Sequence, residues 1–272
     1  MSQPKEMLPV ARKPIVQYVV EELVANGIRE ILFVTGRSKT SIENHFDAEP
    51  AREEALKNQA AGQPGDVYDL GSATILYTRQ REQRGLGDAI FCGRSFAGEQ
   101  PVVVALGDSI IGLHAKSNCV GKMIDMFEEQ RASCVVAVEE VPSSQTSHYG
   151  IIDPADSKDS WLRVRNLVEK PEPEAAPSNL AIAGRYVFSP TIFDYIAGVG
   201  PDARGEIQLT DAIQRMCSEG RRVLAYRLPR DERRYDIGNF PSYFETFVEF
   251  ALADQEFGPG LRATLERLLG TR

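Results

Sequence analysis

Residues that build thiol or metal centres are scarce in this chain. Its 272 residues include four cysteines and three histidines. Cys92, Cys119, Cys134 and Cys217 form no CxxC pair, and His45, His114 and His148 share no ligand spacing with them. Zinc sites and redox-active thiols need such clusters, so the cysteines read as structural thiols. No serine sits in a GxSxG elbow, which leaves a hydrolase triad unsupported. No apolar run approaches the roughly 18–20 residues needed to cross a bilayer. The N-terminus has no apolar signal-peptide core. The expectation is a cytoplasmic protein with no membrane partner.

An excess of positive charge is also missing. The chain carries 31 basic and 39 acidic residues, a formal net charge of −8. Bulk electrostatics therefore gives no support to a nucleic-acid partner, although a local basic pocket is compatible with it.

What is present is an alternation of two periodicities. Residues 14–25 carry Ile15, Val16, Val19, Val20, Leu23 and Val24 on one helical face, with Pro14 at the start and Gly27 beyond the end. "REILFVTG", "ATILYTRQ" and "PVVVALGD" are short apolar runs that suit buried strands. "SKTSIENHF" and "GLGDAIFCGRSFAG" lie between them as helices. This order predicts an α/β fold, a Rossmann-like mixed and mostly parallel sheet with helices on both faces. The second half is more mixed, with strands at "SCVVAVEEV", "VRNLVEKP", "LAIAGRYVFSP" and "RVLAYRLP" and helices at "GEIQLTDAIQRMCSEG" and "PSYFETFVEFALAD". Residues 48–68, rich in charge, Gly and Pro, read as a surface excursion from a single domain spanning 1–272.

In such sheets ligands bind at the carboxyl ends of the strands. That places Gln80, Asp108 and the segments after 171 and 229 at candidate site positions. Asp108 follows "VVVALG" and could hold a hard cation over a phosphate, or could simply close a Gly-Asp turn. Asp236 in "RRYDIGNF" has a similar setting, and two such carboxylates could share one Mg²⁺. Glu169 and Lys170 end a strand before Pro171. A glutamate there can accept sugar hydroxyls and a lysine can meet a phosphate, or the two can form a solvated surface pair. The glycines of "GLG" at 85–87 could let a ligand approach backbone N–H groups.

Taken together, "PKEMLPVARKPIVQYVVEEL", "SKTSIENHFD", "GLGDAI", "VEKP", "PSNLAIAGRYVFSPTIF" and "GEIQLTDAI" are similar, in order and rough spacing, to bacterial UTP–glucose-1-phosphate uridylyltransferases. The resemblance covers almost the whole chain and sits within the wider sugar nucleotidyltransferases, which include thymidylyltransferases. It implies a Mg²⁺-assisted attack of glucose 1-phosphate on the α-phosphorus of UTP, giving UDP-glucose and pyrophosphate, in a homo-oligomeric enzyme. It also implies site roles. Lys5 and Lys170 act on phosphate as catalytic cations. Gln80 and Gly85 read the uracil edge. Tyr149, Gly150, Glu169 and Gly184 surround the hexose. Asp108 and Asp236 hold the metal.

The chain departs from the pattern at several points. The family's first strand and GxGTRxLP loop would precede Pro4, so the expectation is a sheet without its first strand, and activity that depends on that loop. Ser109, Phe240 and Asp88 stand where relatives often have an acid, a lysine and a histidine. A non-catalytic sugar-nucleotide-binding paralogue is the alternative reading at this point.

Overall fold

A computed structural model describes residues 4–47, 73–158 and 161–270, with the side chains of 156–158 left aside. The expected excursion at 48–68 lies outside the described residues. The chain opens with a 3₁₀ turn, Lys5–Met7, and two short paired strands, β1 (Pro9–Val10) and β2 (Lys13–Pro14). Helix α1 (Ile15–Ala25) follows, with Pro14 extended at its N-cap and Gly27 at φ +90 just beyond it. Only glycine adopts that φ without strain, so the helix ends there.

β3 (Glu30–Thr35) and β4 (Thr74–Arg79) form a parallel pair, with α2 (Thr40–Phe46) following β3. After β4 come α3 (Gly85–Phe91), α4 (Arg94–Ala97), β5 (Val102–Ala105), β6 (Ser109–Ile111) and α5 (Cys119–Glu129). Then come β7 (Cys134–Glu140), β8 (Gly150–Lys158), β9 (Trp161–Glu169) and β10 (Leu180–Phe188). The chain closes with α6 (Ile192–Ala197), α7 (Leu209–Ser218), β11 (Val223–Arg227), β12 (Arg234–Asp236), α8 (Phe240–Leu252) and α9 (Gly258–Gly270).

The main sheet has the order β5-β10-β7-β11-β9-β8. The α/β class and the mixed sheet match the sequence expectation. Among the described residues, however, parallel ladders are confined to β3–β4 and β7–β11. β10 runs antiparallel to both β5 and β7, and β8–β9 is an antiparallel hairpin. A long apolar strand such as β10, buried along its whole length, does not reveal its direction in its composition.

Two apolar layers flank this sheet. One packs Ile192, Ile196, Leu209, Ile213 and Met216 of α6 and α7 against Val136, Val138 and Phe188. The other packs Cys119, Met123 and Met126 of α5 against Val135, Ala137 and Val187. α1 is covered on two sides. Val16, Val19, Val20 and Leu23 meet Ile31, Ile42 and Phe46, while Ile15 and Tyr18 meet Tyr235 and Phe250.

One feature of the topology positions the site. Among the described residues β3 pairs only with β4, and β5 only with β10. Between them lies a cavity of about 1000 Å³ lined by residues 30–36 on one side and 101–108 on the other. Val16, Val19, Val20 and Leu23 of α1 also line it. Both strands therefore present backbone N–H and C=O groups with no ladder partner among the described residues.

Candidate active site

Lys5, Gln80, Gly85 and Asp108 line the carboxyl end of this cleft together. Gln80 follows β4, its N–H donating to Thr35 O at 3.0 Å. Asp108 follows β5 in the turn to β6. Lys5 reaches across from the 3₁₀ turn, and its Nζ donates to Asp108 Oδ2. Burial opposes the charge on Lys5, but Asp108, with Glu6 and Asp236, holds its ammonium above the ordinary value of 10.5. A lysine kept cationic beside a carboxylate can pass between that carboxylate and an incoming phosphate.

Asp236 is brought to Asp108 by strand register. β12 pairs with β6 so that Asp236 lies opposite Ser109, the neighbour of Asp108. Asp236 Oδ1 also accepts from Gly238 N at 2.8 Å, which fixes its side chain in its own turn. Two carboxylates on adjacent strand ends fit a Mg²⁺-type site, which takes one or two protein oxygens and completes its shell with phosphate and water. No group of three or more His, Cys, Asp or Glu capable of holding a metal occurs among the described residues.

The turn carrying Asp108 is held from beneath by a group the sequence reading missed. Arg185 Nη2 donates to Ser109 O at 2.9 Å, and Nη1 to Leu106 O at 3.4 Å and Gly184 O at 3.2 Å. Its Nε and Nη2 bond Glu22 of α1 at 3.2 and 2.7 Å. Both side chains are wholly buried. Its only signal was a charge inside the apolar run "LAIAGRYVF". Gly184 lies in the same place. Its φ is +74, and a Cβ there would come within 3.0 Å of Ser109 Oγ. The contacts of Gly184 are thus with the turn that presents Asp108.

The residues expected around a hexose form a second group. Gly150 pairs with Glu169 in the β8–β9 ladder. A Cβ on Gly150 would stand 3.1 Å from Ile182 Cδ1 and Thr210 Cγ2 and 3.3 Å from Glu169 Oε2. Glycine here leaves room for the Glu169 carboxylate. Lys170 has φ +44, a strained value for a non-glycine residue. Its N–H donates to Tyr149 O at 3.1 Å, and its Nζ stays 3.8 Å from Glu169 Oε1. Half of the Lys170 side chain is exposed, so its ammonium can turn toward a ligand.

Arg234, also unforeseen, stacks its guanidinium 4.1 Å from the centre of the Tyr149 ring. Its Nε lies 2.6 Å from Glu139 Oε1, an ion pair off the N–H axis, and its Nη1 donates to Ile182 O at 3.2 Å. Burial raises the Tyr149 hydroxyl above its ordinary pKa of 10.0, against the pull of Arg234. It therefore stays a neutral donor at neutral pH.

The glycines at 85 and 87 do not leave backbone open for a ligand in the way the sequence suggested. A Cβ on either would come within 2.7 or 2.8 Å of Ile207 O, and Gly87 N donates to that oxygen at 2.9 Å. They admit the 206–207 segment. In the same cleft, Lys39 Nζ donates to Glu6 Oε1 at 2.7 Å, and Glu6 Oε2 is buried with no hydrogen-bond partner among the described residues.

Comparison with known proteins fits this geometry. Residues 1–251 match the family described as Nucleotidyl transferase. A UTP–glucose-1-phosphate uridylyltransferase of Bacillus subtilis (strain 168) is 43% identical over 270 residues, covering 98% of this chain and 90% of that protein. The crystal structure of a UDP-glucose pyrophosphorylase complexed with UDP-glucose is similar at a TM-score of 0.79 and 34% identity, over 91% of this chain and 90% of the other. A UTP-bound UGPase from Acinetobacter baumannii gives a TM-score of 0.84 at 32% identity, over 97% of this chain and 91% of its own.

Proposed function

Because the chain belongs to the nucleotidyl transferase family, we propose that its cleft joins UTP and glucose 1-phosphate into UDP-glucose, releasing pyrophosphate. The protein is an enzyme of the UTP–glucose-1-phosphate uridylyltransferase class. The observation that carries the site assignment is the Lys5–Asp108 pair at the end of β5, in the cleft that Gln80 and Gly85 also line.

An oxygen of the sugar phosphate attacks the α-phosphorus of UTP. The bond from that phosphorus to the oxygen bridging it to the β-phosphorus breaks, and pyrophosphate leaves. Little covalent work falls to the protein in such a transfer, so its residues act by positioning and charge. Gln80 holds the base edge, with the Gly85 carbonyl holding the Gln80 amide in place, and Lys5 faces the triphosphate. Glu169, Tyr149 and Gly150 shape the hexose pocket, Gly184 supports the turn behind it, and Lys170 meets the transferring phosphate. Asp108 and Asp236 are the residues that would hold a divalent cation, Mg²⁺ by their all-oxygen character, which neutralises developing phosphate charge when bound.

The same reading makes the protein a cytoplasmic homo-oligomer. Phe240 and Phe244 stack on one face of α8 at 65% and 60% exposure, with Phe247 and Val248 beside them. A second copy of the chain is the occupant proposed for this apolar face. Light scattering after gel filtration checks it, and a Phe240→Ser/Phe244→Ser variant is expected to shift toward the monomer. The activity is tested by pyrophosphate release from UTP and glucose 1-phosphate with Mg²⁺. Release that needs both substrates and the metal is expected. Tight UTP binding without release would overturn the catalytic reading.

A further inference from the structure

The amide of Gln80 has only one chemically sensible orientation. Its Nε2 lies 3.1 Å from Gly85 O and 2.8 Å from Asp88 Oδ2. A carbonyl and a carboxylate both accept and neither donates. Turning the amide over would set Oε1 against two oxygens with no hydrogen between them. Both Nε2 hydrogens are thus committed, and Oε1 is left as the group the side chain can offer to the cleft it lines. The carboxylate makes the stronger of the two restraints, because a charged acceptor roughly doubles the strength of a hydrogen bond.

Those acceptors are themselves fixed. Arg84 Nη2 stands 3.4 Å from Asp88 Oδ1, and the Asp88 side chain is only 16% exposed. The start of α3 is braced by the 206–207 segment, where Ile207 N donates to Arg84 O at 2.8 Å and Gly87 N donates to Ile207 O at 2.9 Å. Gln80 is thus clamped between the end of a strand and the first turn of a braced helix.

We propose that Asp88 is a positioning residue that sets the base specificity of the cleft. By holding the Gln80 amide with its oxygen outward, it selects a base that presents an N–H there, such as N3–H of uracil or thymine. It rejects cytosine, whose N3 presents a lone pair at the same point. The inference rests on the reading of Gln80 as the base-edge residue. It goes beyond that reading by naming the group that decides which way Gln80 reads.

The test is titration calorimetry of UTP and of CTP into the full chain with Mg²⁺, for wild type, Asp88→Asn and Gln80→Ala. One good hydrogen bond replaced by two facing acceptors corresponds to a preference for UTP of about 10- to 100-fold. Asp88→Asn keeps the size of the side chain but can offer an N–H to Gln80, so only Gly85 O still opposes reversal of the amide. The UTP:CTP affinity ratio is expected to fall by about tenfold, the worth of one hydrogen bond. A role limited to structure would weaken both nucleotides together and leave the ratio unmoved. Asp88→Ala, which also removes the carboxylate, serves if circular dichroism shows the Asn variant to be misfolded. If Gln80→Ala weakens UTP binding while both Asp88 variants keep the wild-type ratio, the inference is wrong and the base-edge reading stands. If Gln80→Ala leaves UTP affinity unchanged, the base-edge reading itself fails.

Discussion

Replacing Arg185 with methionine should damage stability and catalysis by separable routes. The change removes a guanidinium that bonds Glu22 twice and also serves the carbonyls of Leu106, Ser109 and Gly184. It leaves the Glu22 carboxylate in a site with no solvent exposure. Breaking a buried ion pair on one side costs about 3–5 kcal/mol, most of it the penalty of the stranded charge. With an unfolding entropy of about 2.1 cal/mol/K per residue, 272 residues carry about 0.57 kcal/mol/K, so Tm should fall by about 5–9 °C. Adding Glu22→Leu removes the stranded charge, and the double variant should recover to within about 1–2 kcal/mol of wild type. Catalysis should not recover with it. The turn carrying Asp108 still lacks its two carbonyl anchors, at Leu106 and Ser109, so the Mg²⁺ concentration for half-maximal turnover should stay raised in both variants. Differential scanning calorimetry and a Mg²⁺ titration of steady-state rate separate the two effects. An Arg185→Met protein that unfolds within about 1 °C of wild type would contradict the buried-charge reasoning. A double variant with wild-type Mg²⁺ dependence would contradict the assignment of Arg185 as the support of the turn.

Asp108→Asn should abolish Mg²⁺-dependent turnover with the fold intact, and Asp236→Asn should reduce it severely, since such a site leans on one or two carboxylates. Kinetics across a Mg²⁺ series, with circular dichroism as the folding control, decides this, and two active variants would move the metal site elsewhere. Gly150→Ala inserts a methyl within 3.1 Å of Ile182 and Thr210 and 3.3 Å of the Glu169 carboxylate. The expected cost is about 1–3 kcal/mol of stability, with a raised KM for glucose 1-phosphate and an unchanged KM for UTP. Burial holds the His114 imidazole below its ordinary pKa of 6.5. The unfolded chain then binds a proton that the folded chain refuses, so stability is full above 6.5 and falls as pH drops toward the folded value. Urea unfolding at a series of pH values should show that slope lessened in His114→Gln. Burial also pushes the thiols of Cys119 and Cys134 well up, and that of Cys217 to about 11. Iodoacetamide at pH 8 should therefore modify Cys119 and Cys134 only on unfolding, as followed by mass spectrometry.

Much of the fold was legible because it rests on local signals. The apolar face of α1 ends where Gly27 takes φ +90, and the strands at 30–35, 74–79, 134–140 and 180–188 are short apolar runs within the expected segments. Helix α5 was not foreseen, nor were strand β8 and helix α9. "GIIDPADSK" carries a proline and polar residues, and it is a strand because β9 pairs along its length, with register shifts at Pro154. The expected helix at 85–98 is two helices, with the break at Cys92 and Gly93. Tertiary pairing overrides local preference in such cases.

The α/β class and the candidates Gln80, Asp108, Glu169, Lys170 and Asp236 could be read along the chain, because strand-end position and residue type are both local properties, while Lys5 came from the motif resemblance. The tertiary structure decided which of those groups meet. Asp236 reaches Asp108 only through the β6–β12 register, and Lys5 spans 103 positions of sequence to bond it. It also decided the roles of Glu22, Arg185, Asp88 and Arg234. In the sequence each is one more charged residue. In the fold Glu22 and Arg185 have lost all their water and Asp88 and Arg234 most of it, and the free energy of a charge taken out of water depends on the partners that only packing supplies.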